Sequence, residues 1–407
     1  LLVPGRRLLW SIRTGDARPH AGAITAVAHP TPVGAAVDVA VIGGGIVGCA
    51  AAAFLAEAGA SVTVFEREAV GAGASGRNQG LVQPPFDPVF STLYPETVEH
   101  YRTLTEMDLG FHLGSEPEGL LLVGLDAEAV AAATKTYGAD LAAVDPTFVS
   151  PDELMALEPS VAPGVAACRL DTGYVVPPAA ATGGFAERAR LAGARFEVGH
   201  AWRPVIEGGR AVGVEAAVGR RVAAAHVVVA GGAWSREVVG DAAAFDVPVR
   251  PLWGVIASVR LASPPRFSLE EMGVDEIGRE GAVAVDGVPS IFSLVTLDGV
   301  SGVGAVMVSE RPDEAAVASL LLERGAAYVP ALLGASILAV RACPRPISAD
   351  GRPLLGAVPG VEGLYLATGH GPWGLSTGPA SARLVADLLL GRSVEIRAEF
   401  SPARFAS

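Results

Sequence analysis

Val37-Asp38-Val39-Ala40-Val41-Ile42-Gly43-Gly44-Gly45-Ile46-Val47-Gly48 is the stretch whose reading decides the fold. Its first six residues form a short apolar run of strand length. Ile46 to Ala58 is rich in Ala and Leu and stops at Gly59, which predicts a helix. Ser61 to Phe65 then alternates like a second strand, so the whole reads as one βαβ unit. Gly43, Gly45 and Gly48 fit G-x-G-x-x-G between strand and helix. Gly43 permits the tight turn, Gly45 lets a pyrophosphate approach the backbone, and Gly48 allows close helix–strand packing. The free amides of Gly45, Ile46 and Val47 at the helix start, with the helix dipole, favour phosphate. Glu66 ends the second strand, where an acid accepts hydrogen bonds from ribose hydroxyls and disfavours a 2′-phosphate. A dinucleotide site for FAD or NAD is expected, and NADP is not.

Working outward, the chain has 407 residues, 50% hydrophobic and 18% charged, enough for two or three packed units. Its mean hydropathy of +0.42 requires a membrane reading to be tested. The longest uncharged apolar stretch, Val39 to Ala56, carries three glycines near its start and is flanked by Asp38 and Glu57. It reads as a buried strand and helix, so a soluble protein with no membrane partner is expected. A net charge of −13 argues against nucleic acid or anionic lipid, which both reward basic surfaces. Three unclustered cysteines, Cys49, Cys168 and Cys343, suggest a reducing, cytoplasmic setting without disulfides or a metal site.

Residues 1–36 hold four arginines and one acid. Arg6-Arg7 before Leu8-Leu9 has a faint twin-arginine look, but Arg13, Asp16 and Arg18 interrupt the apolar stretch such a signal needs. A mobile extension is expected there. Beyond the βαβ unit, a short capped helix is predicted at 151–157, a longer one at 179–192, and strands at 196–206 and 211–217 around a Gly208-Gly209 turn. A buried strand at 226–230 runs into Gly231-Gly232. Residues 247–308 are strand-rich and 312–328 helical. A buried strand at 364–367 precedes a closing helix at 376–390, with Gly391 as its stop. Nucleotide-type strands scatter over the whole chain, so the strand-rich middle is read as an inserted second domain.

Two later regions bear on the cofactor. Gly71 to Gly80 follows the second strand and offers flexible backbone with Ser75, Arg77, Asn78 and Gln79. Arg345 to Gly356 contains Asp350-Gly351-Arg352-Pro353, and Gly369-His370-Gly371-Pro372-Trp373-Gly374-Leu375-Ser376-Thr377-Gly378 is a strand, a Gly-rich turn and a helix start. That geometry suits the pyrimidine edge of a flavin, which becomes anionic on reduction. With these segments the sequence resembles the D-amino-acid-oxidase-like family of FAD-dependent oxidoreductases, on the side of glycine and sarcosine oxidases. The matching pieces are Asp38–Glu66, Ser75–Gly80, Asp171–Pro177, Val227–Ser235, Arg345–Gly356 and Gly369–Gly378.

The resemblance implies an α/β (α+β overall) architecture. A Rossmann-like FAD-binding domain is assembled from 37–90, 153–246 and 338–394. A substrate domain with a large antiparallel sheet comes from 91–152 and 247–337, and 395–407 is a tail. The implied cofactor contacts are Gly43, Gly45, Ile46, Val47, Gly48, Glu66, Arg67, Ser75, Arg77, Asn78, Gln79, Gly80, Val205, Gly231, Trp234, Gly371, Trp373, Gly374, Leu375, Ser376 and Thr377.

Arg345 stands where glycine-oxidase-like members pair the substrate carboxylate, and a guanidinium fork suits a carboxylate; a structural arginine is the alternative. Arg77 is a second cation, for flavin or phosphate on one reading and for substrate on the other. His370 either polarises flavin or substrate, or serves only as a backbone hydrogen-bond partner. Trp253 and Trp373 either wall the pocket or pack in a core. Phe292 stands where several relatives hold an active-site tyrosine. Cys343 lies near the position of the flavin-attached cysteine of sarcosine-oxidase-like members, but Pro344-Arg345-Pro346 departs from that pattern. A free thiol and non-covalent FAD are therefore expected.

The implied activity is oxidation of the Cα–N bond of an amino acid or secondary amine. A hydride passes to flavin N5, the imine is hydrolysed, and oxygen or another acceptor takes the electrons. A flavin dehydrogenase of hydroxy acids or polyols, and a non-catalytic flavoprotein subunit, are the alternatives. A homo-oligomer or a partner subunit is left open.

Overall fold

The computed structural model describes residues 37–140, 145–273, 284–285 and 288–406. The expected extension, 1–36, lies outside them. Two large sheets organise the described residues, beside a small pair of strands, Leu81–Val82 and Tyr174–Val175. The first has eight strands in the spatial order Leu354–Ala357, Leu364–Thr368, Arg221–Val229, Val37–Ile42, Val62–Glu66 and Arg195–Val198. Arg210–Ala216 and Trp202–Glu207 extend it as an antiparallel ribbon beside Arg221–Val229. Its central pairs are parallel, and Val39 to Ile42 are buried on both faces. That explains why these strands read as continuous apolar runs and not as alternation.

The first helix, Ile46–Glu57, is buried along all but its last residue. Its Ala50 to Ala53 run lets it sit close beneath the sheet, between the helices Pro178–Leu191 and Gly374–Leu389. A wholly buried helix shows no amphipathic stripe, and the sequence shows none. Tyr94–Glu106 joins this layer, sending Val98, Tyr101 and Leu104 into the same core. The closing helix ends with Gly391 at a φ of 66°, as the sequence predicts.

The second sheet has nine strands, in the order Ile337–Ser348, Val249–Val259, Val300–Val306, Val288–Leu297, Ser268–Glu271, Leu120–Gly124, Ala166–Leu170 and Thr147–Val149, with Ala284–Val285 beside the fourth. All its pairings are antiparallel except that of Ser268–Glu271 with Leu120–Gly124. One face packs on the helix Glu314–Gly325 through Val317, Ala318, Leu321 and Leu322.

Three placements differ from the sequence boundaries. Ala166–Leu170 and all but the first residue of Ile337–Ser348, expected in the FAD-binding segments, pair in the second sheet, whereas Tyr94–Glu106, expected with the substrate segments, packs in the first core. Apolar alternation identifies a strand but not its partner, so nothing local marks these exchanges. The tail 395–406 is docked. Phe400 is buried, its carbonyl accepts from the Leu355 amide at 2.8 Å, and Arg404 grips Asp350 at 2.7 and 2.9 Å. No helix among the described residues is long and apolar enough to cross a membrane.

Candidate active site

The turn after the first strand is built of backbone. Gly43 has a φ of 117°, and a Cβ there would overlap the carbonyl of Ala230. A Cβ on Gly48 would overlap the carbonyl of Gly43, so the helix seats directly on the turn. Gly45 is the N-cap of that helix and carries no side-chain cap. Ser75 Oγ accepts from the Ile46 amide at 3.0 Å and lies 3.0 Å from where a Gly45 Cβ would stand. Glu66 is held in two directions: Oε2 accepts from the Gly44 amide at 2.7 Å and Oε1 from the Glu68 amide at 2.8 Å. The Arg67 guanidinium lies 3.8 Å from the centre of the Trp234 ring.

These groups line a cavity of about 550 Å³. Gly43, Gly45, Ile46, Val47, Glu66, Arg67, Ser75, Asn78, Gly231 and Trp234 border it, together with Trp202, Arg203 and Glu215. It continues to Gly254, Ile256, Cys343 to Pro346, Thr368, His370, Gly371, Gly374 and Leu375. A dinucleotide fits this donor set. The cavity holds a helix start whose N-cap residue brings no side chain, a glycine cradle that a Cβ would fill, and an acid anchored for ribose.

His370 borders the same cavity, and its Nε2 is buried with no hydrogen-bond partner among the described residues. His370 is 2% exposed, and burial pushes its pKa down to about 3, so the ring is neutral at ordinary pH. Its backbone is fixed by a bridge to Ile347 and by the Trp373 amide, 3.0 Å from its carbonyl. Gly371, at a φ of 58°, then turns the chain into Gly374–Leu389, whose N-cap, Trp373, offers no side-chain cap. A second positive helix end therefore borders the cavity.

Arg345 enters from the strand Ile337–Ser348. Nη1 donates to the carbonyl of Val306 at 2.8 Å, and Arg345 forms no ion pair among the described residues. Burial lowers its pKa, with Cys343 acting weakly the other way, but a guanidinium stays charged. Cys343, on the same face of that strand, is a buried free thiol that borders the cavity. Burial pushes it up, against the opposing pull of Arg345, Arg77 and Arg341.

Several expected residues sit elsewhere. Trp253 alternates with Gly254 and so faces the second core, under Arg311 at 5.4 Å. Phe292 is fully buried in that core, stacked on Tyr328 at 4.9 Å. Trp373 packs edge-on against Phe86 at 5.7 Å. Val205 pairs with Gly213, while its strand meets the cavity through Trp202 and Arg203. Ser376 and Thr377 turn inward, Ser376 Oγ accepting from the Gln83 amide and Thr377 Oγ1 donating to the Trp373 carbonyl. Gly48 and Gly80 serve close packing, since a Cβ at 80 would overlap the Val176 carbonyl. Arg77 is exposed and does not border the cavity.

Gln79 reaches away from the cavity to the second sheet. Nε2 donates to the Gly302 carbonyl at 2.9 Å, and Oε1 accepts from Ser293 Oγ at 2.9 Å. Beside it stands Arg341, which the sequence reading missed. It donates to the carbonyls of Arg77 and Asn78 at 3.2 Å each and to Ser258 Oγ at 3.0 Å. Alternation along Arg341-Ala-Cys343-Pro-Arg345 places 341, 343 and 345 on one strand face, a signal available in the sequence.

Residues 38–388 match the model of the FAD dependent oxidoreductase (DAO) family, and the chain belongs to that family. It is an FAD-dependent oxidoreductase of mixed α/β fold. It is 31% identical over 382 residues to a glycine oxidase of Pseudomonas aeruginosa, covering 90% of this chain and 98% of that one. It is also 32% identical over 216 residues to a D-amino acid dehydrogenase of Cereibacter sphaeroides, covering 53% of this chain and 47% of the other. Among solved structures, glycine oxidase from Geobacillus kaustophilus superposes with a TM-score of 0.75 at 25% identity, over 91% of this chain and all of that one.

Proposed function

We propose that this oxidoreductase oxidises the Cα–N bond of a carboxylate-bearing amine, an amino acid or its N-substituted relative, with non-covalent FAD. The observation that carries the reading is Arg345: a half-buried guanidinium bordering the cavity beside His370, with one carbonyl partner and no ion pair among the described residues. A charge so placed is complete when a carboxylate joins it. FAD, when bound, supplies the acceptor for the two electrons. The chain's part is orientation. Arg345 fixes the carboxylate, and the start of Gly374–Leu389 presents amides and a positive dipole end to the cavity. Among the described residues no strong base stands at this end: the His370 ring is too weak a base and the Cys343 thiol is pushed up. The substrate amine must therefore arrive neutral, which puts its own pKa into the pH profile. Buried thiols at Cys49, Cys168 and Cys343 support a reducing, cytoplasmic setting.

Anaerobic bleaching of the flavin tests the reading. Amino acids should bleach it, while hydroxy acids and polyols should not. Bleaching by alcohols alone would reassign the chain to hydroxy-acid chemistry, and bleaching by neither would leave a non-catalytic flavoprotein. Acid precipitation should release the colour. Colour that stays with the pellet in wild type and leaves it in Cys343→Ser would show attachment at Cys343.

A further inference from the structure

Gly254 lies in the middle of the strand Val249–Val259, directly opposite Cys343 on the neighbouring strand. Its φ is outside the left-handed region, so no turn or backbone strain calls for glycine here. Glycine inside a strand weakens it by adding freedom to the unfolded chain and giving neighbours nothing to pack on. What the position offers is empty space, and that space is filled by one side chain. Arg345 stands opposite Leu252 and lies diagonally across the strand pair, a reach open to long side chains. A Cβ on Gly254 would overlap its Nη1 and Cζ and come within 2.6 Å of Nη2.

The same device recurs one strand further on. Gly302 and Gly304 face Gln79, whose Nε2 would lie 3.3 Å from a Cβ on Gly304. The cavity face of the second sheet is thus bared where polar side chains lie flat upon it.

We propose that Gly254 is the positioning residue for Arg345 and sets the specificity of the site for carboxylate-bearing amines; this rests on the reading of Arg345 given above. The bare backbone at 254 is the bed of the guanidinium. With Nη1 tied to the Val306 carbonyl, the bed fixes the plane of the fork and the direction of its remaining donors. A methyl group at 254 lifts the fork out of that plane. The colliding atoms are the far end of a flexible side chain, so Gly254→Ala folds with its guanidinium displaced. Selectivity for a carboxylate then falls, while the rest of the cavity stays as it was.

The experiment compares wild-type holoenzyme with Gly254→Ala, Arg345→Ala and the double variant. Acetate titrated against the flavin spectrum reads carboxylate binding without turnover. Glycine and benzylamine are the turnover probes with and without a carboxylate. Gly254→Ala should keep its FAD, weaken acetate at least tenfold and raise KM for glycine by a similar factor, several times more than it raises KM for benzylamine. In the Arg345→Ala background the same methyl group should do nothing further, because nothing remains to displace. If Gly254→Ala proves insoluble, the double variant should be soluble, since its collision is gone.

Loss of FAD from Gly254→Ala, unchanged acetate binding, an equal effect in both backgrounds, or an equally insoluble double variant would each overturn the proposal. Arg345→Ala that binds acetate as wild type does would overturn the underlying reading instead. Melting temperatures then still judge the geometry: Gly254→Ala lowered in wild type, and restored in the double variant.

Discussion

The two ends of one cavity are built in opposite ways. The phosphate and ribose end comes from Gly43 to Glu66, a span of 24 residues, and consists mainly of backbone: a glycine turn, a helix start and an acid held by two amides. The end around Arg345 draws on residues 254, 306 and 345, on three neighbouring strands of the second sheet, and on 370, in the turn that follows a strand of the first. There the decisive contacts are made by side chains. Backbone sites need correct φ angles and the absence of Cβ atoms, whereas side-chain sites need strand register to be right over long sequence separations. The first end should therefore fail all at once when crowded, and the second should fail selectively.

The sharpest way to break this contrast is Gly45→Val. A branched side chain there meets Ser75 Oγ and fills the approach to the helix amides, so FAD loading should be abolished in a protein that still folds. The released flavin, measured after denaturation, checks it; a yellow Gly45→Val protein would show that the cradle is not where the phosphates lie. Arg345→Ala should behave in the opposite manner. FAD content should stay near wild type, while kcat/KM for amino acids falls by two to three orders of magnitude, about 3–4 kcal/mol for losing a desolvated charge pair. Equal losses on carboxylate-free amines would erase the distinction between the two ends.

How much of this could be read in the sequence follows the same division. The βαβ unit, the glycines and Glu66 were legible because their chemistry is local and periodic. Arg345 and the Gly369–Gly378 turn were legible through the resemblance, since each stands inside a compact motif. The sequence left Trp253 open between pocket wall and core and put Phe292 at the site, because an aromatic residue in a strand shows its type but not its face, and the face depends on register with a distant partner. Arg341 was missed for the complementary reason. An arginine in an apolar strand declares nothing until the carbonyls of Arg77 and Asn78 are brought beneath it. The exchange of strands between sheets at 166–170 and 337–348 is invisible locally for the same reason.

Acid should expose the side-chain end next. Burial holds His370 at about 3, against 6.5 for an ordinary imidazole. Below pH 6.5 the unfolded chain takes up a proton that the folded chain refuses, so stability falls as the pH drops from 6.5 towards 3. At pH 5 the loss from this one group is about 2 kcal/mol. Urea midpoints at pH 7 and pH 5 should therefore converge in His370→Gln relative to wild type. An identical pH dependence in both proteins would mean that the folded chain protonates this ring without penalty.

The smallest expected effect lies where the two ends meet. Arg341 stands on the second sheet, yet it donates to the carbonyls of Arg77 and Asn78, at the end of the short helix Ala74–Arg77 that carries Ser75. Asn78 ties the same turn together by donating to the Ala74 carbonyl at 2.9 Å and accepting from the Gly80 amide at 2.8 Å. Arg341 thus passes the position of the second sheet to the hydroxyl that sits on the first helix start. Removing it frees two carbonyls, and the Asn78 bonds still hold the turn, so the cradle loosens without collapsing. Arg341→Ala should weaken FAD about tenfold, near 1.4 kcal/mol, a fraction of the worth of charged hydrogen bonds. Arg341→Lys keeps the charge but not the fork, and should recover only part of that loss. Acetate binding to the FAD-saturated variant should match wild type, because Arg345 keeps its own bed at Gly254. Unchanged FAD affinity in Arg341→Ala would make the two ends independent, each held by its own sheet alone. A loss of acetate binding that outlasts FAD saturation would instead join Arg341 to the substrate end.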